Sequence, residues 1–172
     1  SRPGTETPQG KLVFGREKLT SCKLSFKKAK ISFNVHEYKH DPKAQSYGLE
    51  AAEKLELNPS QVFKTLVIET ESKQLVVAVL PVNQQLNLKS LAKAVGAKKA
   101  AMAPQQLVER STGYILGGVS PLAQKKRLAT VIDSSAKNFE TIFVSAGRRG
   151  LEIELAAEVL SELVKGKFAS LT

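Results

Sequence analysis

The sequence predicts an α+β domain built on a mixed, partly barrel-like β-sheet with flanking helices. Two observations carry this expectation. Strand-like runs come in hairpin pairs, with helical segments between and beyond them, rather than in regular strand–helix alternation. The chain of 172 residues is also 42% apolar and 24% charged, enough to bury one core without metal or disulfide staples. A doubly wound nucleotide-binding fold is disfavoured, because the sequence has neither the GxxxxGK[ST] nor the GxGxxG phosphate fingerprint.

The elements follow in chain order. Residues 1–18 open with "SRPGTETPQG", which has two prolines, two glycines and no aliphatic side chain. They are expected to be a disordered leader or a cloning remnant, the second favoured by the lack of an initiating Met. Residues 19–172 then form a single domain. "REKLTSCKLSFKKAK" (16–30) has the composition of one short basic helix. "ISFNVHEY" alternates apolar and polar from Ile31 to Val35, a strand pattern, and "HDPKAQSYG" reads as a loop. "LEAAEKLEL" has helical spacing and is stopped by "NPS". "QVFKTLVIET" and "QLVVAVLPV" are β-rich and joined by the polar "ESK", a hairpin. "NLKSLAKAVGA" predicts a helix with glycine at its C-terminal end, and "APQQLVERS" predicts another. "ATVID", "TIFVSA" and "LEIEL" are later strands, and the amphipathic helix "AAEVLSELVKG" is expected to close the chain.

Composition limits the function. No apolar run approaches the roughly 20 residues that span a bilayer, so a membrane span is excluded. The single cysteine, Cys22, rules out an internal disulfide and a Cys-cluster zinc site, and fits a reducing, cytoplasmic setting. The net charge is +10 and unevenly spread. Residues 91–150 hold ten Lys and Arg against three Asp and Glu, a surplus of +7. Such a block suits a polyanionic partner, most often nucleic acid, or simply a solubilising surface.

Few residues offer chemistry. Cys22 has no His or acid near it in sequence and reads as an inert thiol. Neither serine in "GGVSPL" or "FVSAG" lies in a GxSxG elbow. His36 and His40 would share a strand face, as a metal pair needs, only if the strand ran past Tyr38; hydrogen bonding or packing is their default role. No metal or other cofactor is expected. Lys64 stands inside the apolar run "QVFKTLVI", where an unpaired lysine is costly to bury. It either snorkels to the surface or points into a polar site. The stretch "STGYILGGVSPLAQKK" packs Gly113, Gly117, Gly118 and Pro121 into nine residues before Lys125, Lys126 and Arg127. Its amides could face an anion or a developing oxyanion, or the segment is a tight turn joining two strands. "SAGRRG" (145–150) is a second glycine-and-cation loop, and the two together could rim a basic pocket for an RNA end.

Six segments appear in register with one family: "HEYKHDP", "YGLEAAEKL", "FKTLV", "LNLKSLAKAVGAKKAAMA", "STGYILGGVSPLAQKKR" and "ETIFVSAGRRGLEIEL". From about Ser32 to Leu155 the chain resembles the YbaK family of freestanding Cys-tRNA(Pro) deacylases. These are related to the editing domain inserted in bacterial prolyl-tRNA synthetases. The resemblance implies hydrolysis of cysteine mischarged on tRNA(Pro), with prolyl-tRNA synthetase as partner. It places the family lysine at Lys64, the pocket tyrosine at Tyr38, and at Tyr47 an aromatic position that is often Phe. The GxxxP loop falls on Gly117, Gly118, Ser120 and Pro121, with Lys64, Gly117 and Gly118 in the catalytic role. Ser145 and Gly147 match the second loop. Ala123 stands where many members have glycine. The implied mechanism is substrate-assisted: the cysteinyl thiol attacks its own carbonyl, so the protein mainly positions and stabilises. Another mischarged tRNA, such as Ala-tRNA(Pro), and a noncatalytic tRNA- or synthetase-binding module remain as alternatives.

Overall fold

The computed structural model describes residues 32–44, 46–115 and 117–172. The expected leader, the basic helix and Cys22 lie outside the described residues. The helices are α1 (Tyr47–Lys54), α2 (Leu88–Ala94), α3 (Gln105–Thr112) and α4 (Ala157–Val164). The strands are β1 (Asn34–Glu37), β2 (Phe63–Thr70), β3 (Leu75–Pro81), β4 (Ala100–Met102), β5 (Ala129–Asp133), β6 (Ile142–Arg148), β7 (Leu151–Leu155) and β8 (Lys167–Ala169). No helix among the described residues is long and apolar enough to cross a membrane.

The strands form a mixed five-stranded sheet, in the order β4-β2-β3-β5-β8, and an antiparallel three-stranded sheet, β1-β7-β6. β2 and β3 pair antiparallel, with Lys64 opposite Leu80, while β3 and β5 run parallel. The expected mixed sheet with flanking helices is therefore present. The suggested barrel is two sheets that do not close into a ring. They meet at an isolated parallel bridge between Val62 and Phe143, both buried.

β3 explains the arrangement. Val76 to Leu80 are wholly buried on both faces, so the strand needs a partner on each edge and a layer on each side. Val77 and Val79 face a core shared with Phe63, Val144, Ile153 and Leu160. Val76 and Ala78 face a second core with Ile68, Leu91 and Leu171. A third cluster of Ala51, Ala52, Val62, Val82 and Phe143 holds α1 against the junction of the sheets.

Several boundaries differ from expectation. α1 begins at Tyr47, inside the expected loop, because the Ser46 side chain accepts from the Leu49 amide and caps it. α4 does not close the chain: Lys165 turns it off in a left-handed conformation (φ 52°), and β8 then pairs with β5. β4 and β8 have three residues each, too few to display an alternating period.

Asp133 anchors the C-terminal end. Its carboxylate accepts from the Leu171 amide at 2.8 Å and from the Ser135 hydroxyl at 2.5 Å. The Leu171 carbonyl in turn accepts from the Asn87 amide at 2.7 Å. Asp133→Ala would strand a buried amide and should cost about 2–3 kcal/mol in urea unfolding. An unchanged midpoint would remove Asp133 from the anchoring role.

Candidate active site

A cleft of about 220 Å³ opens where the two sheets diverge beyond the Val62–Phe143 bridge. β2 contributes Phe63 to Leu66, α1 with its cap contributes Ser46, Tyr47 and Gly48, and the loop before β5 contributes Gly117 and Val119. Val62, Tyr38, Ser145 and Glu152 complete the lining. Five residues singled out in the sequence, far apart in the chain, are thus brought together: Tyr38, Tyr47, Lys64, Gly117 and Ser145.

Lys64 is half-buried, and its ammonium makes no hydrogen bond or ion pair with another described residue. Burial pulls its pKa below the ordinary lysine value. Lys64 is one of the residues that line the cleft. Beside it, the Thr65 hydroxyl is buried without a hydrogen-bond partner among the described residues. Such a group normally has a partner when the site is in use. Tyr38 is held as a phenol: burial, then the nearby Glu152, push its pKa up to about 12.

Thr65 and Glu152 were not singled out in the sequence, and Glu152 is the less expected of the two. "LEIEL" alternates, so both glutamates look solvent-facing. Leu151, Ile153 and Leu155 do point into the core. Yet Glu152 is only 7% exposed, because the opposite face of β7 turns toward the cleft, with Ser145 as its cross-strand neighbour. Burial lifts its pKa to about 8, so near neutrality it is largely a neutral acid that can donate a hydrogen bond. The strand period carries no signal that separates Glu152 from Glu154.

The remaining candidates do not line the cleft. The Gly118 amide donates to the Ile115 carbonyl at 2.9 Å, and a Cβ there would stand 2.8 Å from the Arg148 Cα. Gly118 therefore lets the loop lie against β6. Ser120 is wholly buried, and its hydroxyl accepts from the Leu122 amide. Pro121 borders a separate cleft of about 140 Å³ with Lys126 and Arg127. Gly147, at φ 112°, forms a bulge in β6 and donates its amide to the Ser145 hydroxyl. These four residues shape the loops that carry the lining.

The two histidines part company because β1 ends at Glu37. His36 bonds Glu154 at 2.9 Å, and His40 bonds Glu50 at 2.8 Å. Among the described residues no three His, Cys, Asp or Glu side chains gather as a metal site would need. No imidazole or thiol is among the residues that line the cleft.

Fold and cleft together define a small α+β domain whose cleft is lined by a lysine and, among the described residues, by no imidazole or thiol. The chain belongs to the aminoacyl-tRNA editing domain family, whose model matches residues 41–163. As a member it is an aminoacyl-tRNA deacylase. It is 46% identical over 121 residues to EbsC of Enterococcus faecalis (strain ATCC 700802 / V583), named as a candidate Cys-tRNA(Pro)/Cys-tRNA(Cys) deacylase; the match covers 70% of this chain and 74% of that one. It is 30% identical over 113 residues to the uncharacterized protein YwhH of Bacillus subtilis (strain 168), covering 66% and 71%. Its fold matches the crystal structure of a candidate trans-editing enzyme for prolyl tRNA synthetase with a TM-score of 0.76, at 19% identity, over 90% of this chain and 96% of the other.

The buried carboxyl gives a stability signature. Its folded-state pKa, about 8, lies above the ordinary value of 4.5, so between those values the folded state binds more protons than the unfolded one. Stability then falls as pH rises through that window and levels off above it. Urea unfolding across pH 5 to 9 should record this fall for the wild type and a flatter profile for Glu152→Gln. Parallel profiles would place the carboxyl in water.

Proposed function

We propose that this chain hydrolyses cysteine from mischarged tRNA(Pro), using the substrate's own thiol as nucleophile, and that it works with prolyl-tRNA synthetase. One observation carries the reading: the cleft offers a half-buried lysine, an unpartnered hydroxyl and a neutral acid, but no imidazole or thiol. Such a lining can hold and polarise an ester without attacking it. The name of the Enterococcus relative supports the same substrate.

In this mechanism the cysteinyl sulfur forms a bond to its own carbonyl carbon as the ester C–O bond breaks. The thiol proton passes to the departing ribose oxygen, and water then opens the cyclic thioester to free cysteine. The protein folds the aminoacyl group into a near-attack geometry and stabilises charge on the carbonyl oxygen. Lys64 holds the ester or terminal nucleotide, with the Gly117 amide facing the developing oxyanion. Tyr38, Thr65 and Glu152 hydrogen-bond the aminoacyl end. The basic block at residues 91–150 favours approach of the tRNA electrostatically.

A deacylation time course on Cys-tRNA(Pro), with and without added prolyl-tRNA synthetase, tests the reading. Lys64→Ala should lower the rate by roughly a hundredfold or more, the scale of losing one preorganised electrostatic group, while leaving the unfolding free energy in urea within about 1 kcal/mol of wild type. Wild-type turnover in this variant would remove the lysine from the mechanism. An inactive wild type, even with the synthetase present, would leave a binding module.

A further inference from the structure

We propose that Arg149 is a positioning residue of this site: its guanidinium, laid on the Tyr47 ring, locks the glycine loop to α1. The inference rests on the deacylase reading above and names a residue that does not line the cleft itself.

Three segments far apart in the chain converge here. The guanidinium carbon of Arg149 lies 3.7 Å from the centroid of the Tyr47 ring. Gly117 packs into the same stack: a Cβ there would fall on Arg149 Nε and within 2.9 Å of the Tyr47 ring carbons. Gly117 also has φ 86°, so both its backbone and its missing side chain are explained by this contact. Tyr47 and Gly117 both line the cleft. Arg149 thus acts through them.

The arginine is itself held from behind. Its Nη1 lies 3.4 Å from His40 Nε2, and His40 Nδ1 is 2.8 Å from the buried Glu50 carboxylate. Glu50 also accepts from the Asp41 amide at 2.6 Å and lies 3.4 Å from Lys54 Nζ. Burial alone would raise the pKa of Glu50, but the hydrogen bonds from the Asp41 amide and His40 outweigh it, and the group stays ionised. An ionised carboxylate only accepts, so His40 Nδ1 donates in this contact, and its Nε2 is the ring atom that faces Arg149. The turn that carries Arg149 is pinned as well: Arg148 pairs with Glu37 at 2.9 Å and donates to the Arg149 carbonyl at 2.9 Å. A flat, delocalised cation suits this slot, and a lysine ammonium does not reproduce its stacking.

The competing role for a rim arginine is direct contact with a tRNA phosphate, and kinetics separate the two. For Arg149→Ala, positioning predicts kcat lower by roughly ten- to a hundredfold at saturating Cys-tRNA(Pro), the scale set by misplacing reacting groups by an ångström. KM and the salt dependence of kcat/KM should change little, and Arg149→Lys should fail to restore kcat. A phosphate contact predicts a raised KM, a log–log salt slope smaller by about 1, and rescue by lysine; that result would overturn the proposal. A second readout needs no substrate. NMR of the Gly117 amide and the Tyr47 ring should show both displaced in Arg149→Ala and Arg149→Lys, and unchanged resonances would also overturn it. If the wild type cleaves no ester, the deacylase reading fails, and the NMR comparison alone decides whether Arg149 locks the loop.

Discussion

The cleft depends on how the two sheets join: they share a core of side chains but almost no backbone pairing. Val62 and Phe143 form a single isolated bridge, sealed by Ala51, Ala52 and Val82. Past that point β2 continues in one sheet and β6 in the other, and the diverging backbones leave a wedge between them. A longer ladder there would close a barrel and fill the wedge with side chains. The apolar seal fixes the hinge of the wedge, and the polar residues just beyond it, from Lys64 to Glu152, become its walls.

Burying those polar groups costs stability, and the fold offsets the cost elsewhere. β3 is wholly apolar on both faces, so one strand serves two cores. With that much burial secured, the domain tolerates a desolvated lysine, an unpartnered threonine hydroxyl and a neutralised glutamate in one cleft. Among the described residues none of the three side chains makes a hydrogen bond or ion pair, a pattern that fits the proposed role in binding. The proposed catalysis, with its nucleophile carried on the substrate, asks for little more than this.

Much of the fold was legible because its signals are local. The β2–β3 hairpin, the helices and the β5, β6 and β7 strands announce themselves by period, caps and glycine stops. β4 and β8 do not, since three edge residues show no period and their pairing is decided by tertiary contact. The same division holds in the site. Lys64 was legible because a lysine interrupts an apolar strand, and Gly117 because glycines cluster. Glu152 was not, because its period assigned it to water and only the wedge buries it. Gly118, Ser120, Pro121 and Gly147 were legible as loop residues, but sequence could not tell residues that shape a loop from those that line a cleft.

The central claim is that the attacking atom comes from the substrate. Its most direct test compares hydrolysis of Cys-tRNA(Pro) and Ser-tRNA(Pro) by the wild-type protein under single-turnover conditions, since the two esters differ only in sulfur against oxygen. The account predicts rapid loss of the cysteinyl ester and far slower loss of the seryl ester, even at enzyme concentrations that saturate binding of both. Equal rates would contradict it and require a nucleophile or an activated water held by the protein.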